Sequence, residues 1–273
     1  MSDRLSYFLK NAKAVRFLCS PFKNHQRKKA KEKYHNSEDA RFIRSFKDTH
    51  KGERCFIVGN GPSLTADDLD RLKGEITFGM NRIYNIFDKT DWRPTFYMAV
   101  DPDFVLPNYE TIRKIPGSIK LISNICPYDP NHEKDNIHYI FEYGRFDINK
   151  WNNHSSHVSE DVSEYFSIGY TVTFTAIQMA IYMGFKEIYL LGVDFNYSVR
   201  RDAKGRILRD DSVKDYFDGK KYMSTVLNYE SALYAYQQAR NYADTHGIKI
   251  YNATRGGKLE VFERADLDDV LNR

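Results

Sequence analysis

The chain is predicted to fold as an α/β protein on a single doubly wound, mostly parallel sheet, and three observations predict it. From Glu53 onward, short apolar runs alternate with amphipathic segments, the order of strands and crossover helices in a parallel sheet. The first run, Cys55-Phe-Ile-Val58, is apolar at every position, which suits a strand covered by helices on both faces. It then passes without a spacer into Gly59-Asn-Gly-Pro-Ser63 and a helical pattern, a strand-turn-helix junction in which the glycines let the backbone turn sharply and approach a ligand closely.

Each element follows in order. The first strand spans 54–59 and the helix after it 66–73. Ser63 is placed to cap that helix, with Thr65, Asp67 and Asp68 behind it, so its free N–H groups face an anion. The same residues also read as a plain strand-to-helix turn. A dinucleotide fingerprint is excluded, because Leu64 stands where the third glycine belongs and the second strand, 76–79, ends in Met80-Asn81 instead of a carboxylate. A Walker loop is excluded too, since no Gly-Lys-Ser/Thr follows. Further strands fall at 95–100, 119–123, 137–142, 187–193 and 248–251, with helices at 103–115, 172–184 and 227–246. Two polar stretches interrupt the alternation: 143–170, a lid or an irregular insertion, and 196–221, which follows directly on a strand.

Ligands of open parallel sheets gather beyond the carboxyl ends of the strands. That rule selects Gly59, Asn60, Gly61, Asn81, Asp101, Ser123-Asn124 and Asp194. Each also reads as a cap or turn-former, and Asp194 as an anchor for neighbouring backbone N–H groups. Their coincidence on one rim is what makes a site.

At 273 residues and 32.0 kDa the chain is long enough for one full core. Its 20 Tyr and 18 Phe fill cores or line carbohydrate sites. Cys19, Cys55 and Cys126 are widely spaced, as in a protein of the reducing cytoplasm, and no cluster has metal-ligand spacing, so neither a metal nor a cofactor is predicted. Residues 1–50 carry 13 Lys and Arg against 5 Asp and Glu, while the whole chain is only +4. There, Leu5, Phe8, Leu9, Ala12, Val15, Cys19 and Phe22 recur at helical spacing, and a basic cluster at 27–33 follows. This amino end either lies on an anionic membrane surface, making the protein peripheral on the inner face of the plasma membrane, or docks on the domain as a helix with a solvated linker. No apolar run reaches the ~18 residues of a membrane span, and the acidic remainder, without a nucleic-acid-binding motif, argues against nucleic acid as partner.

Three segments carry a family likeness. Gly59-Asn-Gly-Pro-Ser-Leu64, the Met80-Asn81 strand end and Met183-Gly-Phe-Lys-Glu-Ile-Tyr-Leu-Leu-Gly-Val-Asp-Phe195 resemble the bacterial sialyltransferases of glycosyltransferase family 42, over roughly residues 53–252. The tail Ile248-Lys-Ile-Tyr-Asn-Ala-Thr-Arg-Gly-Gly257 is similar to the related family named for archaeal 6-hydroxymethylpterin diphosphokinases, which includes flagellar motility accessory proteins. The resemblance implies a Rossmann-like sheet, the sialyltransferase variant of the GT-A fold, over residues 51–273, with residues 1–50 as a basic helical extension. It implies metal-independent, inverting transfer of a CMP-linked nonulosonic acid to a glycan or lipid-linked acceptor in surface-polysaccharide assembly. Gly59, Asn60, Gly61, Ser63, Asn81 and Asp194 would hold the nucleotide. Thr171 would lie near the donor sugar with Asn196, and Arg255, on a glycine-flanked turn, would meet a phosphate or carboxylate. Tyr222 stands close to a family tyrosine that stabilises the leaving phosphate.

The chain departs from family 42 at three places. Asp101 replaces an asparagine, Asn196 a tyrosine, and the histidine general base falls near Ser224 or Thr225, with no histidine anywhere in 196–245. The base is then sought among Asp101, Glu230, His154 and His157, with Asp101 preferred. Two other functions stay open: a Mg-ATP-dependent pyrophosphotransferase of the pterin-kinase type, and a nucleotide-sugar-binding protein without turnover. A homo-oligomer is compatible with either.

Overall fold

The structure is a computed structural model that describes residues 28–126, 129, 132–143, 154–220 and 226–272. Its elements run α1 (Glu38–Arg44), β1 (Arg54–Val58), α2 (Ala66–Arg71), β2 (Thr77–Met80), β3 (Phe96–Ala99), α3 (Pro102–Arg113), β4 (Ile119–Ser123), β5 (Ile137–Ile140), β6 (Glu142–Tyr143), β7 (Phe166–Ser167), α4 (Val172–Tyr182), β8 (Glu187–Leu191), β9 (Val199–Arg201), β10 (Ile207–Arg209), β11 (Leu227–Asn228), α5 (Tyr229–Thr245), β12 (Lys249–Asn252), β13 (Glu263–Arg264) and α6 (Leu267–Leu271). Each expected strand and helix is present. The basic amphipathic segment 5–22 and Tyr222, Ser224 and Thr225 lie outside the described residues.

Eight strands form one sheet in the order β13-β12-β8-β1-β2-β3-β4-β5, and every pairing in it is parallel. The expected α/β class is therefore observed, with the sheet parallel throughout. Successive strands step outward from β1 to β5, after which the chain returns to the other side of β1 as β8. Strand order thus reverses at the β1/β8 boundary, the position where such sheets open a crevice.

Side-chain alternation divides β1 between two cores. Cys55 and Ile57 face a core shared with α4 and α5, containing Phe174, Ile177 and Tyr236. Phe56 and Val58 face the opposite core, with Leu69 of α2, Val105 and Ile112 of α3 and Val270 of α6. Helix α4 is buried almost all round, because it lies between the sheet and α5. Helix α1 packs Ile43 into the first core and lies against β5.

Both polar stretches are attached to the domain. Gln178 of α4 is buried and accepts from the N–H groups of Ser159 and Ser167 at 3.2 and 3.0 Å, while its amide donates to Ser167 O at 2.9 Å. These bonds fix the described part of 143–170 to α4. The stretch after β8 forms a small sheet of β10, β9 and β11. Its remainder folds back on β1, where Phe217 N–H donates to Asn60 O at 3.0 Å and Asn85 Nδ2 donates to Asp218 at 3.0 Å.

Candidate functional site

The loop after β1 and the loop after β8 are laced together at the reversal point. Gly59 N–H donates to Leu191 O and Gly61 N–H to Gly192 O, both at 2.8 Å. A Cβ on Gly59 would come 2.4 Å from Gly192 O, and one on Gly61 would come 1.7 Å from Asp194 Oδ2. Glycine is therefore required at both positions by the facing loop. Ser63 Oγ donates to Asp194 Oδ2 at 2.7 Å. Burial pushes the Asp194 carboxyl upward, while the hydroxyl and N–H of Ser63 pull it back. Asp194 is thus an anchor for the loop, one of its two readings from sequence.

The helix start differs from expectation. Thr65, not Ser63, caps α2: its hydroxyl accepts from Asp68 N–H, and the Asp68 carboxylate returns to Thr65 N–H at 2.9 Å. Ser63 is unavailable as a cap because its hydroxyl is committed to Asp194. Asp68, only 2% exposed, also binds Arg255 Nη1 at 2.8 Å, and Arg255 Nη2 donates to Ser63 O at 3.0 Å. The first turn of α2 is therefore filled by the protein's own carboxylate and guanidinium.

Three carboxamides belong to the strand ends of this half of the sheet, Asn60 after β1, Asn81 after β2 and Asn196 after β8. Asn60 Nδ2 donates to Met80 O at 3.0 Å, which fixes the side chain and leaves its Oδ1 as the unused acceptor. That oxygen, Asn81 Oδ1 and Asn196 Oδ1 are buried and have no hydrogen-bond partner among the described residues. Asn81 holds a left-handed backbone, φ +47°, and its carbonyl accepts from Tyr97 Oη at 2.7 Å. Asn196 follows Phe195, also left-handed at φ +50°. Thr171 caps α4 and lies 3.4 Å from Tyr236 Oη, while Thr173 Oγ1 donates to Met80 Sδ at 3.5 Å. The amino end of α4 thereby reaches the end of β2.

The remaining candidates fall elsewhere. Asp101 caps α3, accepting from Asp103 N–H at 3.0 Å. Glu230 sits half-buried in the first turn of α5. His154 is exposed and stacks on Tyr234 at 4.4 Å, and His157, also exposed, contacts Tyr165 Oη at 3.1 Å. One residue was not selected from the sequence: Glu142, beyond β5, whose carboxylate accepts a hydrogen bond from Ser123. The strand-end rule would have found it had the fifth strand been ended at Ile140.

Among the described residues, no three His, Cys, Asp or Glu side chains come together as a metal set, and no helix is long and apolar enough to cross a membrane.

Among curated proteins, no sequence matches the chain. The family described as 6-hydroxymethylpterin diphosphokinase MptE-like matches residues 25–200. Two solved structures are similar at low identity. The MAf glycosyltransferase of Magnetospirillum magneticum AMB-1 is 18% identical with a TM-score of 0.48, over 86% of this chain and 38% of that one. The sialyltransferase CstII of Campylobacter jejuni, solved with the substrate analogue cytidine-5'-monophosphate, is 18% identical with a TM-score of 0.46, over 80% of this chain and 86% of that one. The chain spans well under half the length of the MAf chain.

Proposed function

The chain belongs to the 6-hydroxymethylpterin diphosphokinase MptE-like family, and from that premise we propose that it is a nucleotide-sugar glycosyltransferase, taking a CMP-linked nonulosonic acid or a related sugar as donor and a glycan as acceptor. The observation that carries this reading is the trio of buried, unpartnered carboxamide oxygens of Asn60, Asn81 and Asn196. A buried acceptor left unpaired costs about 1–3 kcal/mol. A ligand that brings donors, such as an exocyclic amino group or ribose hydroxyls, recovers that cost.

The charge of the cradle supports a nucleotide monophosphate over a triphosphate. Asp194 lies directly behind the glycine loop, and the guanidinium of Arg255 is held by Asp68. A single phosphate linking nucleoside and sugar suits such a cradle better than a chain of three, whose charge requires dedicated cations. The family's own description favours a second reading, Mg-ATP-dependent pyrophosphate transfer, and an aminated heterocycle would satisfy the same oxygens.

Calorimetry with CMP and with ATP, each with and without Mg²⁺, separates the two. Metal-independent, CMP-selective binding is expected, weakened about tenfold in Asn60→Ala. Preference for Mg-ATP would replace glycosyl transfer with pyrophosphate transfer. CMP binding without donor consumption on any acceptor or on water would reduce the protein to a nucleotide-sugar binder.

A further inference from the structure

Among the described residues, five large apolar side chains are exposed: Leu106, Ile125, Tyr143, Ile207 and Leu208. The first three follow the rim at the ends of β3, β4 and β5, in company with Asp101 and Glu142, whose charges an anionic surface repels. Ile207 and Leu208 are neighbours in β10, and their company is basic: residues 200–209 hold five Lys and Arg against one Asp. Every residue from Arg206 to Asp210 is exposed. Nothing in the nucleotide cradle uses this run.

The β9–β10 hairpin is built to hold its tip rigidly. Its strands pair antiparallel, Ile207 opposite Arg201 and Leu208 opposite Arg200, so the two apolar side chains stand on opposite faces of the ribbon. Strand β10 is the edge of its sheet. At the turn, Asp202 Oδ1 accepts from the N–H groups of Lys204 and Arg206, both at 2.9 Å, and the Arg206 guanidinium returns to the Asp202 carboxylate at 2.7 Å. At the base, Asp210 N–H donates to Ser198 O at 2.8 Å, Ser198 N–H donates to Asp215 at 2.6 Å, and Arg200 lies over the Tyr229 ring at 5.5 Å. These contacts tie the hairpin to the body at α5. Hydrogen bonds from Ser212, then the charges of Lys258 and Arg200, answer the Asp210 carboxylate. The positive charges of Lys204 and Arg209, both exposed, are left facing solvent.

We propose that the β9–β10 hairpin is a docking finger for an anionic lipid bilayer, with Ile207 and Leu208 entering the boundary between headgroups and acyl chains while Lys204 and Arg209 meet lipid phosphates. Apolar side chains flanked by basic ones are the pattern of interfacial binding, and each Lys or Arg near such a surface adds to it. An anionic glycan or a nucleic acid would use the charges but leave the apolar pair in water. The finger also sets an orientation. Strand β9 begins three residues after Asn196, beyond the carboxyl end of β8, so a molecule held by the finger turns its cradle rim toward the lipid surface, where a lipid-linked acceptor presents its sugar. This contact is separate from the basic amino end, and it holds for either nucleotide reading.

The test uses the full chain as Cys19→Ser, with Cys55 and Cys126 left in place because both are buried, and a nitrobenzoxadiazole label at Leu208→Cys or, as control, at the exposed Lys249→Cys on the opposite rim. Each is mixed with vesicles of phosphatidylcholine, with or without phosphatidylglycerol. Emission from the 208 label is expected to rise about twofold or more on the phosphatidylglycerol vesicles only, and to be quenched by nitroxides on the lipid acyl chains, while the 249 label stays unchanged. In the unlabelled chain, Ile207→Ser with Leu208→Ser, and Lys204→Gln with Arg209→Gln, should each weaken co-sedimentation about tenfold, and thermal melts within about 2 °C of wild type confirm the fold. The proposal is overturned by a wild type that binds neither vesicle, by binding that leaves the 208 label unchanged, or by double variants that co-sediment within about twofold of wild type. Binding with an unchanged label would leave attachment to the amino end. A 208 label that responds to an anionic oligosaccharide and not to vesicles would make the hairpin a glycan contact instead.

Discussion

Asp194 and Glu142 are both carboxylates beyond the end of a parallel strand, both accept from a serine, and both are pushed upward by burial. Their surroundings differ. Asp194 receives the hydroxyl and the N–H of Ser63 and fits against Gly61 with no room for a methyl group. Glu142 receives one hydroxyl and faces the like charge of Asp101. The first environment locks two loops together, although burial outweighs the bonds from Ser63 and leaves the carboxyl raised. The second adds the like charge of Asp101 to burial and raises the carboxyl to about 7. A carboxylate beyond the end of a parallel strand thus locks two loops together at the strand reversal and stands against a like charge at the β3–β5 rim.

The comparison breaks most visibly at Gly61. Gly61→Ala places a Cβ 1.7 Å from Asp194 Oδ2, so the loops must separate, at a cost of about 3 kcal/mol or more. A melting temperature about 6–12 °C below wild type is expected for a chain of this size. A Gly61→Ala melt within about 2 °C of wild type would show that the two loops are not tightly joined.

Arg255→Ala is the next largest. Burial pushes Asp68 up, but hydrogen bonds from Arg255 and Thr65, with the Arg255 charge, outweigh it and hold the carboxyl below its ordinary value. A depressed carboxylate contributes stability above its unfolded pKa and loses it as pH falls through the folded value. Because Arg255 is half exposed, the loss is about 1–2 kcal/mol. Denaturant titrations should show it in full at pH 7 and diminished below pH 4. A loss that does not change with pH would mean that Arg255 acts by packing alone.

The smallest effect has the opposite sign. With Glu142 raised from 4.5 to about 7, its contribution is present below pH 4.5 and lost as pH rises towards 7. Glu142→Gln, neutral throughout, should therefore melt higher than wild type, by an amount that grows between pH 5 and 8 and reaches about 1 kcal/mol after allowance for solvent screening. Asp194 is raised as well but holds Ser63, so Asp194→Asn should lose in loop anchoring what it gains by neutralisation, and a gain equal to that of Glu142→Gln would erase the contrast.

Much of this was legible in the sequence. The strands of the large sheet show as apolar runs because both faces are covered, and the glycine turn marks the reversal loop. The short-range partners of the carboxylates were not legible. Arg255 meets Asp68 across 187 residues and Ser63 meets Asp194 across 131, and no periodicity records such pairings. Ser63 was therefore read as a helix cap when Thr65, two residues on, supplies the capping hydroxyl. Glu142 was hidden for a simpler reason. The apolar run ending in Ile140-Phe141 carries the eye one residue past the end of β5, so a rim residue was read as part of a strand. The unpartnered oxygens of Asn60 and Asn81 depend on which atoms the amide of Asn60 and the hydroxyl of Tyr97 select, which only the folded geometry determines.

The pairing of β1 with β8 also has a consequence for how the protein is made. Asp194, just beyond the second strand of the reversal point, arrives 131 residues after Ser63, so a ribosome working at about 5–20 residues per second needs roughly 7–26 s to complete that strand and its loop. Until then β1 has a neighbour on one side only, and its other edge is open to foreign strands. The nucleotide cradle is consequently among the last parts of the molecule to close, and a nascent chain stalled before residue 187 carries every strand from β1 to β5 but no site.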